Sequence, residues 1–157
     1  MNKEDLTIHS VVRNEPFIYY SIKSIYDYCS SILLYDTGSN DEHTLKDIER
    51  LMREDTENKI IFQEHTIDIE EHKWTVKDWS TYINKYKGSK CVGHIRQQQI
   101  EDTKTKYFMI VDGDEVHYKE TMESILKYNM PEHKFFTQIP LIWFYSLKDT
   151  FECYSPF

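Results

Sequence analysis

The feature that most constrains the fold is an apolar run, residues 107–111, that leads directly into the acidic turn 112–115 (Asp-Gly-Asp-Glu). A short run of apolar, β-rich residues predicts a strand that is buried on both faces. Such a strand has to be covered by helices on either side, so it predicts an α/β sheet. In open α/β sheets ligands bind at the carboxyl ends of the strands, which is where this turn lies.

The acidic turn predicts a divalent-metal site. Asp112 and Asp114 are two residues apart, so on an extended chain their carboxylates point to the same side. A bend at Gly113 would bring them toward one point, because glycine adopts backbone angles that other residues avoid. Bunched carboxylates stay ionised most easily beside a cation, and hard oxygen ligands suit Mg²⁺, Mn²⁺ or Ca²⁺. The alternative is a solvated acidic turn; the buried strand directly before it favours a site.

The composition of the chain limits which classes of binding partner are expected. The 157 residues suffice for one domain, and the net charge of -8 argues against nucleic acid or an anionic membrane as the main partner. A diphosphate that approaches so acidic a chain needs a metal between the two negative partners. The three cysteines have no zinc or redox spacing, and there is no signal-peptide profile or bilayer-spanning apolar segment. A cytoplasmic protein without a membrane span is therefore expected.

Three further strands are predicted before the acidic turn. The first covers Leu6–Val12, and Pro16 suits the first turn of a following helix with an inward face of Ile18, Ile22, Ile25 and Tyr26. The second covers 31–35 and ends at Asp36. A helix capped by Asn40 or Asp41 follows, with a predicted buried face of Leu45, Ile48, Leu51 and Met52. The third covers residues 59–62.

The pattern is weaker in the second half of the chain. Residues 65–90 suggest a peripheral helix or a loop over the site, with His65 and His72 as surface histidines. A helix is predicted within 88–106, with the partial core positions Val92, Ile95 and Ile100. Arg96 on this helix has two interpretations: an arginine near the acidic strand end that pairs with a phosphate or with Asp112, or an arginine that faces the solvent. A short helix over 120–128, with Met122, Ile125 and Leu126 inward, and strands within 135–147 complete the prediction.

Polar residues also follow the first two strands. Arg13, Asn14 and Glu15 come after the first strand and are candidate site residues for that reason. Asp36, at the end of the second, has two interpretations. It is either a loop aspartate that bonds nearby amides or a carboxylate that accepts hydrogen bonds from a sugar or base. No G-x-G-x-x-G sequence follows the first strand, which argues against a nicotinamide-binding fold.

Taken together, three segments of this sequence resemble the family-two glycosyltransferases, which have the GT-A fold. The segments are 11–15, 33–41, and 96–100 with the following 108–115. The resemblance covers residues 6–118, the nucleotide-sugar-binding part. It implies one domain over 1–157, an open, mostly parallel, Rossmann-like sheet with helices on both faces. Residues 119–157 would begin the acceptor part and leave that side incomplete, to be covered by a partner or a further C-terminal segment.

The resemblance also implies a ligand and roles for individual residues. The donor would be a nucleoside-diphosphate sugar, a UDP-sugar in the first instance, held with Mn²⁺ or Mg²⁺. Asn14 and Glu15 would flank the nucleoside, Asp36 would bond the base or ribose, and Arg96 would lie near the base or diphosphate. The implied nucleotide-sugar contacts are Val12, Arg13, Asn14, Glu15, Asp36, Arg96, Asp112 and Gly113. The implied metal ligands are Asp112, which would face the ribose or the metal, and Asp114.

The leading functional hypothesis is a metal-dependent glycosyltransferase acting on a saccharide, lipid or protein acceptor. In this family the acceptor part supplies the catalytic base, for which Asp149 and Glu152 are the candidates here. The alternative is a nucleotide or nucleotide-sugar binding module without its own base. A nucleotidyltransferase would need a phosphate loop rich in glycine and basic residues after the first strand, and residues 11–16 do not supply one.

Overall fold

The computed structural model describes residues 1–65 and 92–128, together with the backbone of two strands between 141 and 153. A parallel sheet of four strands is at its centre: β1 Leu6–Val12, β2 Ser31–Asp36, β3 Ile60–Glu64 and β4 Tyr107–Ile110. The helices are α1 Ile18–Ile25, α2 Glu42–Glu54, α3 Val92–Asp102 and α4 Lys119–Lys127. A separate antiparallel pair consists of β5 Leu141–Ser146 and β6 Asp149–Cys153.

The order of the strands places a topological switch beside β1. Across the sheet the order is β3-β2-β1-β4, and all three pairings are parallel. The chain thus moves outward from β1 through β2 to β3, and then returns to place β4 on the other side of β1. In open parallel sheets ligands bind in a crevice at the carboxyl ends of the strands on the two sides of such a reversal, which here are β1 and β4.

Helices cover both faces of this sheet. On one face the buried side chains of β1 and β2 pack with those of α1, α2 and α4 in the main core. On the other face Ile95 of α3 packs against Leu33 and Tyr35 of β2, with Val11 at the margin. Alternate residues of a strand point to opposite faces, so two cores on one sheet follow from the unbroken apolar run in β2. The predicted α/β architecture, Rossmann-like with a parallel sheet, is confirmed at this level.

Helices α1 and α4 follow the predicted pattern, whereas α2 and α3 depart from it. The Asp41 side chain caps α2 by accepting a hydrogen bond from the Thr44 N–H at 2.8 Å, as one of the two predicted caps. Its buried face consists of Thr44, Ile48 and Leu51. The prediction that Leu45 and Met52 belong to this face is wrong, because they are 41% and 40% exposed. Each follows a buried residue by one position, which is about 100° further around the helix.

Three other burial predictions are wrong. Phe108 and Ile110 of β4 are about half exposed, because the core that the described residues form under α3 lies on β2, with Val11 of β1 at its margin, and not over β4. On α3, Val92 and Ile100 are exposed and Ile95 alone of the predicted core positions is buried. His65, predicted at the surface, is 6% exposed, since it continues the sheet edge with its N–H bonded to the Asp36 carbonyl.

Within residues 1–65 and 92–128, no helix has the length and apolar character needed to cross a membrane.

Candidate functional site

The carboxyl ends of β1 and β4 meet at the switch point. The Val111 N–H donates to the carbonyl of His9, which carries the pairing of the two strands up to the acidic turn. Beyond that bond β1 leads into Glu15, and β4 leads into Asp112 and Asp114. The two sequence segments with the most polar chemistry therefore lie side by side at this end of the sheet.

Gly113 allows the two strand ends to pack closely, because Glu15 and Val12 occupy the space that a side chain at this position would fill. A Cβ atom added to Gly113 would lie 2.7 Å from Cγ and 2.9 Å from Cβ of Glu15, and 3.2 Å from a methyl of Val12. The interpretation that this glycine serves through its backbone freedom is wrong, because among the described glycines Gly38 alone has a positive φ. Close approach of two chain segments is the physical reason for glycine here.

Three further contacts fix Asp112. Its carboxylate Oδ1 accepts from Nη2 of Arg96 at 3.0 Å, so one of the two predicted pairings of that arginine is confirmed. Its carbonyl accepts from the Ser21 hydroxyl at 3.1 Å, and its N–H donates to a carboxylate oxygen of Glu115 at 3.0 Å. The Asp112 side chain is still 60% exposed, and its Oδ2 has no hydrogen bond among the described residues.

The electrostatics of the crevice are dominated by carboxylates. Burial raises the pKa of Glu15, and the charges of Asp114, Asp112 and Asp41 raise it further. Burial also raises the pKa of Glu115, against the opposing effect of the hydrogen bond from the Asp112 N–H. Both shifts mean that negative charge is costly at this end of the sheet, which is the condition that a bound cation relieves.

The part of the chain that the structure describes contains no preformed metal site. Among the described residues, no group of three or more His, Cys, Asp or Glu side chains is arranged to hold a metal ion. Asp112 and Asp114 are therefore too few to hold a metal by themselves. Mg²⁺ and its analogues are usually bound through one or two carboxylates together with substrate phosphates and water, so cation binding by these two aspartates together with a ligand stays a prediction.

Asn14 connects the loop after β1 to the loop after β2. It adopts a left-handed backbone conformation, with φ of 53°. Its Oδ1 accepts from the Asn40 N–H at 2.8 Å, its Nδ2 donates to Asn40 Oδ1 at 3.0 Å, and its N–H donates to the Ser39 hydroxyl. Asparagine tolerates this conformation better than most residues because its short side chain bonds locally. The two loops thus form one rim.

Asp36 is engaged within that rim. Its Oδ2 accepts from the N–H groups of Gly38 and Ser39 at 3.2 and 2.9 Å, and its Oδ1 accepts from the Ser39 hydroxyl. The residue is only 4% exposed. Of its two interpretations, the aspartate that bonds nearby amides is the one observed. Its contact with a base or ribose stays a prediction.

The structure brings most of the predicted site residues to one place. Those around the switch point are Val12, Glu15, Arg96, Asp112, Gly113 and Asp114, with Asn14 and Asp36 on the adjoining rim. Arg13 is exposed. Asp149 and Glu152 belong to β6, but their side chains lie outside the described residues, so their role as a catalytic base stays a prediction.

Sequence reasoning missed two buried polar residues near the turn. Gln99 is fully buried on α3, and its amide bonds the backbone of β1 and β2. Its spacing of four from Ile95 was the available signal, since both fall on one helix face. The His117 side chain is 5% exposed; its Nε2 lies 4.0 Å from Glu115 and has no hydrogen-bond partner within residues 1–65 and 92–128. Burial lowers the pKa of His117.

Comparison of the sequence with models of known protein families gives no match, and comparison with curated proteins gives none either.

Proposed function

We propose that this chain is the donor-binding part of a metal-dependent glycosyltransferase with the GT-A fold. Its donor is a nucleoside-diphosphate sugar, with a UDP-sugar as the first choice. The observation that carries the proposal is the pairing of a topological switch with the acidic turn. Asp112 and Asp114 follow β4 and Glu15 follows β1, on the two sides of the crevice where parallel α/β sheets bind ligands.

In this proposal the turn holds the cation and the rim holds the nucleoside. Asp114 and Oδ2 of Asp112 would hold Mn²⁺ or Mg²⁺, which neutralises the charge that builds on the departing diphosphate. The loop of Asn14 and Glu15 flanks the nucleoside, and its hydrogen bonds to the second loop support a fixed rim. Arg96 holds Asp112 from the side of the sheet.

Charge arithmetic explains why a cation is needed. Two unit charges about 4 Å apart interact by about 4 kcal/mol at the effective dielectric of about 20 that suits a partly buried site. A diphosphate that met Asp112 and Asp114 without a cation would face repulsion of this order from each. A divalent ion between them reverses the sign of both interactions. The raised pKa of Glu15, which lies beside both aspartates, supports the same conclusion from the protein alone.

Calorimetry with UDP, with and without Mn²⁺, tests the donor site. We expect Mn²⁺ to strengthen UDP binding by tenfold or more, about 1.4 kcal/mol, and Asp114→Asn to abolish that gain. Asp27→Asn is the matched control, because Asp27 is exposed in the short segment before β2, at the opposite end of the sheet. If Asp114→Asn and Asp27→Asn bind UDP with equal affinity in Mn²⁺, the metal assignment fails.

Turnover separates an enzyme from a binding module. The protein would be incubated with a panel of nucleotide sugars and Mn²⁺, and released nucleotide would be measured. Release or transfer that is lost in Asp114→Asn supports the glycosyltransferase. Metal-dependent binding without release from any donor supports the module without its own base.

A further inference from the structure

Three consecutive glutamines on α3 have three different environments. Gln97 is exposed and bonds Glu101 one turn further along the helix. Gln98 is half-buried and bonds Gln63 of β3. Gln99 has no exposed surface at all. A buried amide needs hydrogen-bond partners for its donors and its acceptor, so the partners of Gln99 reveal what it does.

Gln99 is bonded on every side. Its Nε2 donates to the carbonyls of Ser10 in β1 and Leu33 in β2, at 3.0 and 2.9 Å. Its Oε1 accepts from Nη1 of Arg96 at 3.2 Å. The orientation of the amide is fixed by this chemistry, because carbonyls accept only and a guanidinium donates only. Gln99 therefore ties Arg96 to the centre of the sheet.

Arg96 transmits this constraint to the acidic turn. Its Nη1 also donates to the carbonyl of His9 in β1 at 3.2 Å, so both protons of that nitrogen are used within the protein. Its Nη2 donates to Oδ1 of Asp112 at 3.0 Å, and the arginine side chain is only 22% exposed. The rigid guanidinium fork thus spans from two backbone-anchored groups to one carboxylate oxygen.

We infer that Gln99, acting through Arg96, positions the carboxylate of Asp112 for the cation of the donor site. The inference rests on the proposed function, because it concerns the cation of that site. Holding Oδ1 leaves Oδ2 of Asp112 as the oxygen that meets the ion. Groups that orient a metal ligand in this way change metal affinity by about 10-fold to 100-fold when they are removed.

A purely structural glutamine would behave differently. It would lower stability when replaced but leave the metal-dependent part of nucleotide binding unchanged. A purely electrostatic Arg96 would also differ, because removal of a positive charge beside the site would strengthen cation binding. A positioning role predicts that replacing Gln99 and replacing Arg96 each weaken cation binding. It also predicts that neither replacement has an effect once Asp112 can no longer hold the ion.

The experiment compares neighbouring glutamines. Gln99→Met and Gln98→Met make the same chemical change on the same helix, but only the first breaks the connection to Asp112. UDP affinity would be measured by calorimetry with and without Mn²⁺. We expect Gln99→Met to weaken binding in Mn²⁺ by about 10-fold to 100-fold and to leave metal-free binding within about twofold. Gln98→Met should match the wild type in both conditions.

A double-mutant cycle completes the test. In the Asp112→Asn background, Gln99→Met should cause no further loss. Equal Mn²⁺-dependent affinities of Gln99→Met and Gln98→Met would overturn the positioning role, while metal-dependent binding by the wild type would leave the donor site standing. A wild type without metal-dependent binding would overturn both.

If Gln99→Met does not fold, as judged by circular dichroism, Arg96→Lys takes its place. Lysine keeps the charge but lacks the planar fork that reaches the His9 carbonyl, Gln99 and Asp112 together. The same loss in Mn²⁺, absent in the Asp112→Asn background, is expected. Unchanged affinity in Arg96→Lys would overturn the inference.

Discussion

Two carboxylates at opposite ends of the parallel sheet, Asp55 and Glu15, have pKa shifts of opposite direction. At the amino end, Asp55 accepts from the Tyr26 hydroxyl and from the N–H groups of Lys59 and Ile60. Burial by itself would raise the pKa of Asp55, but these hydrogen bonds outweigh it and the pKa is lowered. At the carboxyl end, the pKa of Glu15 is raised by burial and by neighbouring carboxylates.

This difference distinguishes a structural cluster from a binding site. The ammonium of Lys59 is buried beside the ring of Tyr26, pairs with Glu57 and donates to the Tyr26 carbonyl, so charge and hydrogen bonds are matched within the protein. Among the described residues around Gly113 the carboxylates outnumber the cations, and Arg96 pairs with Asp112. Groups whose charge is left uncompensated are the ones that a ligand stabilises, which is why perturbed pKa values concentrate at functional sites.

The largest expected effect is at the amino end. Asp55→Ala removes the acceptor of a phenol and two backbone amides, and it should lower the free energy of unfolding by about 3 kcal/mol, because unsatisfied buried donors cost about 1–3 kcal/mol each. Urea denaturation measures the change. Glu57→Ala, which removes a half-exposed partner of Lys59, is the control and should cost less than about 1 kcal/mol. Equal losses in the two variants would mean that the amino-end cluster is not a matched unit.

The second effect tests the crowding at the carboxyl end. In Gly113→Ala the new Cβ would press on Cγ of Glu15, and we expect a loss of about 2 kcal/mol in the free energy of unfolding, as in other overpacked sites. Replacing Glu15 with alanine in the same protein removes Cγ and should restore part of the loss. Gly38→Ala is the contrast, because Gly38 has open space but a φ of 99°, so Glu15→Ala should not rescue it. Absence of any rescue in Gly113→Ala would show that the contact is not limiting.

The sequence was sufficient for the architecture because its signals are local. Apolar runs predict strands, helical spacing predicts the buried faces of α1 and α4, and the polar residues after the first two strands predict where candidate site residues lie. The order of strands was not predictable in this way. In the fold β4 pairs with β1, and Glu15 lies beside Gly113. These contacts join residues that are far apart in the sequence, so no local pattern predicts them.

Buried polar residues were the other feature that the sequence did not predict. Periodicity in apolar residues identifies Ile95 on α3 but passes over Gln99, which is as deeply buried. The prediction that His65 lies at the surface is wrong for the same reason, because a histidine at the sheet edge contributes nothing to an apolar pattern. Whether a polar residue is buried depends on partners that the fold supplies, such as the carbonyls of Ser10 and Leu33 for Gln99.

The smallest expected effect is an increase in the free energy of unfolding, whereas the other two variants should lower it. Glu15→Gln removes a carboxylate from among Asp112, Asp114 and Asp41, and it should raise the free energy of unfolding at pH 7 by about 0.5 kcal/mol after allowance for solvent screening. Because the folded pKa of Glu15 is raised, the folded protein binds a proton more readily than the unfolded chain. Stability from this group is therefore lost as pH rises through the folded pKa, and the advantage of the glutamine should vanish as pH falls toward about 4. Urea titrations at a series of pH values measure this, with Glu120→Gln, an exposed residue of α4, as the control. A loss of stability in Glu15→Gln at pH 7 would mean that this carboxylate is already compensated, and the contrast between the two ends of the sheet would no longer hold.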